Sequence, residues 1–308
     1  MIKYITDKDF QRKYGSQKAC LTALLNYRIS EDGLCFNGCK APISNYKYLS
    51  ETKRKALLCP RCLHHTYPMV DSIFNHSHVA IEDWFQIIYE MLRSRNGISA
   101  NEICNRYGYS YKTAFNIIHA IRDQMSKCVN FRFVNEAVEI DESFLRSGNK
   151  GMKKNTSLGV GRGNRKHTGI LCIVARGGAA KLLVIPNAEG DTLLSYIQEF
   201  VDTSCRIYTD EWKGYSGLER AGYSHKTVNH SKEFTDGPAS TNNCENIFSN
   251  LKRIIFSTHR SVNHRKIQSY LDEYSFRYSY RNHEDYGFEV FMQSFSSLSE
   301  HYVLRNAA

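Results

Sequence analysis

Apolar residues recur at intervals of three and four through Ile81, Trp84, Phe85, Ile88, Met91 and Leu92, which predicts one amphipathic helix. Asn96-Gly97 interrupts the pattern, and Ser99 is placed to cap a shorter helix carrying Ala100, Ile103 and Cys104 before Tyr107-Gly108 stops it. Ser110 then caps a third helix, in which Ala114, Ile117, Ile118 and Ile121 face inward and Tyr111, Lys112, Asn116, His119 and Arg122 face mostly outward. Helix, glycine-containing turn, helix is the order of a helix-turn-helix, whose outward face, with Tyr111, Lys112 and Arg122, could enter a major groove. A plain three-helix packing module has the same periodicity, so both readings of residues 78–130 stay open on pattern alone.

After Asn135 the period changes. Residues 137–141, 169–175, 181–185 and 206–210 are short β-rich runs, and a helix capped by Asp191 with Leu193, Leu194, Ile197 and Phe200 on one side lies between the last two. That order predicts a mixed sheet covered by helices. Further on, Asn242, Glu245, Ser249 and Lys252 are spaced three, four and three and share one face of a helix, while Ile247, Phe248, Leu251, Ile254 and Ile255 gather opposite. A last helix around Ile267, Tyr270, Leu271, Tyr274 and Tyr278 should cover the sheet, with Glu273 and Arg277 placed for an i,i+4 pair. Residues 148–166 are basic, glycine-rich and without period: a mobile hairpin or loop near a phosphate backbone, or a merely solvated connection.

The ten cysteines form two groups. Cys20, Cys104, Cys128, Cys172, Cys205 and Cys244 are scattered singly, as free thiols of a reducing compartment are. Cys35-Phe-Asn-Gly-Cys39 and Cys59-Pro-Arg-Cys62 instead form two knuckles in a segment too short for its own core. Four thiolates satisfy tetrahedral zinc, so Cys35, Cys39, Cys59 and Cys62 read as a structural zinc ribbon, with His64 and His65 close enough to replace one thiolate.

Lys and Arg number 41 against 31 Asp and Glu, a net +10 that favours polyanionic partners, nucleic acid first. The 308 residues allow about two compact domains. No apolar run approaches the ~20 residues of a membrane helix and the N-terminus lacks a signal-peptide core, so the expected location is cytoplasmic and nucleoid-associated. The expected layout is α/β and multidomain: a helical segment at 1–32, the ribbon at 33–68, the helix-turn-helix at 78–130 and a mixed-sheet domain at 135–300.

Asp141 ends the first predicted strand and Asp210 the fourth, and such strand ends commonly build sites. Glu245, on the polar face of its helix, is the natural third acid. Three carboxylates from two strands and a helix suit two Mg²⁺ or Mn²⁺ ions, which take hard oxygen ligands and clamp the attacking and leaving oxygens of a phosphodiester ~4 Å apart. Taken singly, each acid also fits a plain turn, cap or solvated position.

These segments, with Val-Glu-Ile-Asp141-Glu-Ser, Ile-Tyr-Thr-Asp210-Glu-Trp-Lys-Gly-Tyr, His-Lys-Thr-Val-Asn-His230-Ser and Thr-Asn-Asn-Cys-Glu245 followed by Lys252, closely resemble the ISXO-like insertion-sequence transposases, DDE enzymes related to the Merlin elements. The resemblance extends from Ala19 through Tyr278. It implies an RNase H-like catalytic domain with Asp141, Asp210 and Glu245 as the acidic triad. It also implies metal-dependent cleavage at element ends, followed by attack of the freed 3′-hydroxyl on target DNA. The third acid varies in that group, so Asn242 competes with Glu245, and the basic residue seven positions on, Lys252, favours Glu245. Lys252 and Lys213 would hold phosphates, and His230 would contact DNA, donate into the site or serve structure; Trp212 and Tyr215 could pack against bases or fill the core, the latter being favoured. Ser240 departs from the family's usual His, and the first knuckle is one residue longer than usual. The implied partners are double-stranded DNA, as terminal inverted repeats and target, and further copies of the chain in a dimer or larger assembly. Two other functions compete: a transposase-derived DNA-binding regulator without catalysis, and a nuclease that cuts without joining.

Overall fold

A computed structural model of the chain describes residues 4–28, 34–35, 37–49, 55–146, 167–228 and 241–295; the basic stretch 148–166, His230 and Ser240 lie outside them. In chain order the first elements are α1 (Asp7–Tyr14), α2 (Gln17–Arg28), β1 (Lys47–Leu49), β2 (Ala56–Leu58), β3 (His65–Thr66), α3 (Ile81–Arg93), α4 (Ala100–Tyr107) and α5 (Tyr111–Cys128). They are followed by β4 (Ala137–Arg146), β5 (His167–Ala175), β6 (Ala180–Ile185), α6 (Gly190–Phe200), β7 (Arg206–Asp210), β8 (Ser224–Val228), α7 (Asn242–Ile254), α8 (Ile267–Ser279) and α9 (Phe288–Gln293). The chain forms two compact units, one of Met1–Gln124 with Arg281–Ala308 and one of Met125–Tyr280. No helix among the described residues is long and apolar enough to cross a membrane.

In the first unit, β1, β2 and β3 make a small antiparallel sheet. The three-helix pattern is realised with its expected punctuation. Ser99 and Glu102 form a capping box at the start of α4, and Gly108 closes that helix in the left-handed region at φ 73°. Ser110 Oγ accepts from the Thr113 N–H at the start of α5. An aromatic core joins the helices: Phe10 stacks on Tyr89 at 4.1 Å and meets the edge of Phe288 at 5.1 Å, and Phe74 packs against Phe295 at 5.3 Å. Because Phe288, Phe291 and Met292 bury their side chains in this unit, the sheet unit closes at Tyr280 instead of running to residue 300 as the sequence layout has it.

On α5, Tyr111, Lys112 and Asn116 are exposed as expected. His119 and Arg122 are buried, at 7% and 2% exposure, which corrects the sequence reading of both as outward. They sit within one helical turn of Ile118, Ile121 and Met125, and the apolar stripe is wide enough to take in their stems.

The second unit is built on a five-stranded sheet in the order β6-β5-β4-β7-β8. Strands β6, β5 and β4 form an antiparallel meander, while β7 and β8 run parallel to β4. One face carries Val138, Ile140, Leu171, Ile173 and Ile207 against Leu193 and Ile197 of α6. The other carries Leu145, Cys172, Val174 and Leu182 against Ile247, Phe248 and Leu251 of α7 and Leu271 of α8. Helix α8 also covers the free edge of β6. The N–H groups of Ala180, Leu182 and Val184 donate to Ser279 Oγ, Ser275 Oγ and Gln268 Oε1, so an edge that would otherwise invite another strand is satisfied. The expected Glu273–Arg277 pair forms at 3.1 Å, with both residues buried. Glu189 is the N-cap of α6, and Asp191 falls in the first turn instead of at the cap.

Candidate active site

Strand β4 does not end at Asp141: it continues to Arg146, because Glu142 through Arg146 go on pairing with Leu171 through His167 of β5. The other edge of β4 behaves differently. Its parallel pairing with β7 runs Ala137↔Arg206, Val138↔Ile207 and Glu139↔Tyr208 and stops there. Asp141 therefore sits mid-strand where its parallel neighbour gives out. Two residues beyond the last pair, the same register sets Asp141 beside Asp210, the final residue of β7. Equal offsets put both carboxylates on the same face of strands about 4.8 Å apart, the face covered by α7. Backbone amides aim them: the Glu142 N–H donates to Asp141 Oδ1 at 2.8 Å and the Trp212 N–H to Asp210 Oδ1 at 3.0 Å.

Helix α7 supplies the third wall. Cys244, Ile247, Phe248, Leu251 and Ile254 bury its apolar side, leaving Glu245, Ser249 and Lys252 exposed on the other. An open cleft of about 410 Å³ is lined by Asp141, Glu142, Ser143, Glu245, Phe248, Ser249 and Lys252. Lys252 Nζ donates to Ser143 Oγ at 2.7 Å across this cleft. Glu142 also accepts, at Oε2, from the hydroxyl of the buried Tyr215 at 2.6 Å. Tyr215 is thus core, as its sequence suggested, whereas Trp212 is 40% exposed.

One residue of the site escaped the sequence reading. Glu139, fully buried, lies two positions before Asp141 on the same face. Its carboxylate accepts from the Asn243 backbone N–H and from Asn243 Nδ2, both at 2.9 Å, and pairs with Arg176 Nε at 3.0 Å. It thereby fastens the first turn of α7, which holds Glu245, to the strand that holds Asp141. The available signal was an acid in a strand otherwise written Ala-Val-x-Ile.

The four cysteines form a separate cluster in the first unit. Cys35, Cys39, Cys59 and Cys62 bring their sulfurs within 4.8 Å of one another, with Cys35–Cys62 at 3.8 Å and Cys39–Cys59 at 3.5 Å. A tetrahedron of thiolates at 2.3 Å from zinc has edges of about 3.8 Å. The Asn37 amide donates to Cys62 Sγ at 3.6 Å and holds that thiol down at about 6. His64 and His65 are not part of this cluster.

Residues 133–279, which contain Asp141, Asp210 and Glu245, match the ISXO2-like transposase domain. This domain, a little under half of the chain, belongs to that transposase family. Over 270 residues, 84% of its length, the chain is 26% identical to an uncharacterised protein in transposable element ISH50 of Halobacterium salinarum, and the match spans 89% of that relative. A 71-residue stretch, 23% of the chain, is 34% identical to an uncharacterised transposase-like protein of Haemophilus influenzae and spans 58% of it.

The remaining sequence candidates fall around the transposase domain as follows. Asn242 is exposed at the first position of α7 and does not line the cleft. Lys213 is exposed in a 3-10 turn three residues after Asp210. Burial raises the Asp141 carboxyl from its usual 3.8 to about 7, with Glu142, Asp210 and Glu245 adding like charge. The folded unit then holds this proton more tightly than the unfolded chain does. The stabilisation is complete below pH 3.8 and is lost as the pH rises through about 7. The metal-free protein is expected to lose roughly 2–3 kcal/mol from this group between about pH 5 and 8. Denaturant melts at the two pH values check this: Asp141→Asn should flatten the difference, and an equal slope in the variant would contradict the assignment.

Proposed function

We propose that this transposase binds the ends of its insertion sequence, hydrolyses a phosphodiester there with two divalent cations, and joins the freed 3′-hydroxyl to target DNA. The observation that carries the reading is the strand register that sets Asp141 beside Asp210, with Glu245 lining the same cleft as Asp141. A mixed sheet of five strands with helices on both faces supports an RNase H-like domain. The donors fit Mg²⁺ or Mn²⁺: they are hard oxygens, and the crowding of like charge that raises Asp141 is what a cation relieves. When bound, two such ions would activate the attacking water and neutralise charge on the leaving oxygen.

The chain's own residues divide the remaining work. Amides of Glu142 and Trp212 fix the orientation of Asp141 and Asp210. Lys252, across the cleft, holds a non-bridging phosphate oxygen in place of its bond to Ser143. Glu245, which lines the cleft where Asn242 does not, is the third ligand. The exposed Tyr111 and Lys112 on α5 and Lys213 after β7 contact DNA; Arg122, being buried, is left out of that surface. The same reading makes the protein a nucleoid-associated homodimer or larger assembly on DNA. The test is Mg²⁺- or Mn²⁺-dependent cleavage and joining on a duplex carrying the DNA that flanks the gene. Joined products support the transposase, cleavage alone indicates a nuclease, and sequence-specific binding without products indicates a regulator.

The cysteine cluster is proposed to hold one structural zinc, supported by sulfur separations close to a tetrahedral edge. Purified protein is expected to contain one zinc per chain. Cys59→Ser should lower zinc affinity by more than the about 10- to 100-fold typical of losing an outer-shell partner. Metal content and competition with a chromophoric chelator measure both, and full-strength zinc binding in Cys59→Ser would rule the site out.

A further inference from the structure

Between Glu245 and Asp272 the sequence contains no acid, while Lys252, Arg253, Arg260, Arg265 and Lys266 contribute five positive charges. All five are exposed, and among the described residues none is in an ion pair. In the middle of this stretch stands Phe256, at 80% the most exposed large apolar side chain among the described residues. Its neighbours Ile254 and Ile255 are buried, so the core is already served without it. Phe256 lies in a π-helical turn, Ile255–His259, that continues α7, a kind of turn found frequently at functional sites. Glu245, Ser249, Lys252 and Phe256 are spaced four, three and four, so the ring extends the face that lines the cleft. At 1.5 Å per residue it stands about 16 Å along the axis from Glu245, between four and five steps of about 3.4 Å along a DNA strand.

We propose that Phe256 is a stacking platform for an unpaired nucleobase in the strand that leaves the cleft, with Arg253 and Arg260 on its flanking phosphates. Aromatic stacking takes any base, and the surrounding cations bind the backbone through counterion release. The other occupant an exposed phenylalanine could have is a second copy of the chain. A segment with five exposed cations and no acid of its own repels the same segment of another copy and attracts a polyanion, which favours DNA. The inference rests on the reading of the cleft as a DNA-processing site.

The probe is a duplex of gene-flanking DNA with a short 3′ single-stranded extension carrying 2-aminopurine at successive positions. Wild-type protein is expected to change the fluorescence at one of them. Phe256→Ala should lose that change and bind the extended duplex about tenfold more weakly, Phe256→Trp should restore both, and thermal melts should be unaltered. Arg253→Gln combined with Arg260→Gln should reduce the slope of log affinity against log salt by about 2. Unchanged affinity and fluorescence in Phe256→Ala overturn the proposal, as does a change of sedimentation with unchanged fluorescence, which assigns the ring to a contact between copies. If Asp210-dependent cleavage persists while Phe256→Ala is silent, only this inference fails. If wild type neither binds nor cuts any flanking DNA, the DNA-processing reading fails first.

Discussion

Asp210→Asn is expected to lower metal-dependent cleavage and joining at least about 10³-fold, while binding to element ends stays within a few-fold. Losing a ligand from a two-ion site removes several kcal/mol of charge stabilisation in the transition state, and ~4 kcal/mol corresponds to three decades of rate. The substitution keeps size and hydrogen bonding: the Asn oxygen can still accept from the Trp212 N–H, which now donates to Asp210 Oδ1. It also removes one of the like charges that crowd Asp141, so metal-free Asp210→Asn should melt no lower than wild type. That separates lost chemistry from lost folding. Glu245→Gln, run beside Asn242→Ala, settles the third ligand, with the first expected to behave like Asp210→Asn and the second to stay near wild type. Near-normal joining by Asp210→Asn in Mg²⁺ would remove the carboxylate site from the mechanism.

Much of this arrangement was legible from periodicity. The capping serines at 99 and 110, the left-handed turn at Gly108 and the polar and apolar faces of α7 follow from spacing, because local hydrogen bonding and a 3.6-residue period act within a few residues. The end of β4 was not legible. Glu-Ser-Phe-Leu-Arg after Asp141 has no strong β pattern, and it is strand only because β5 pairs with it from over twenty residues away. Burial of His119 and Arg122 was missed for a related reason, since the width of an apolar stripe is set by what packs on it and a sequence shows only its centre. The allegiance of α9 to the first unit depends on aromatic partners, Phe10 and Phe85, far away near the other end of the sequence.

Glu139→Ala is expected to cost the sheet unit about 3 kcal/mol, and to cost cleavage more than it costs binding. The carboxylate is fully buried, and Arg176, its ion-pair partner, is 24% exposed, so breaking the pair leaves a half-buried guanidinium without its counterion. The same substitution removes the acceptor of the Asn243 N–H at the first turn of α7, a helix-capping loss of about 1 kcal/mol. For a unit of this size the sum, about 4 kcal/mol, lowers the melting temperature by about 8–16 °C. Glu139→Gln keeps an oxygen for Asn243 but no charge for Arg176 and should fall between. The functional consequence runs through position. Glu245 lies two residues after Asn243, in the turn that Glu139 fastens. Freeing that turn displaces Glu245, the proposed third ligand, and a misplacement of ~1 Å can cost about 10² in rate. The proposed end binding through Tyr111 and Lys112 of α5, which lie in the other unit, should be unaffected. Rates measured at a temperature where both proteins are folded isolate this effect, and raising Mg²⁺ should recover part of it in Glu139→Ala, because a displaced ligand weakens metal binding before it abolishes it. A variant as stable as wild type, or one whose cleavage falls only in proportion to its unfolded fraction, would reduce Glu139 to a packing residue.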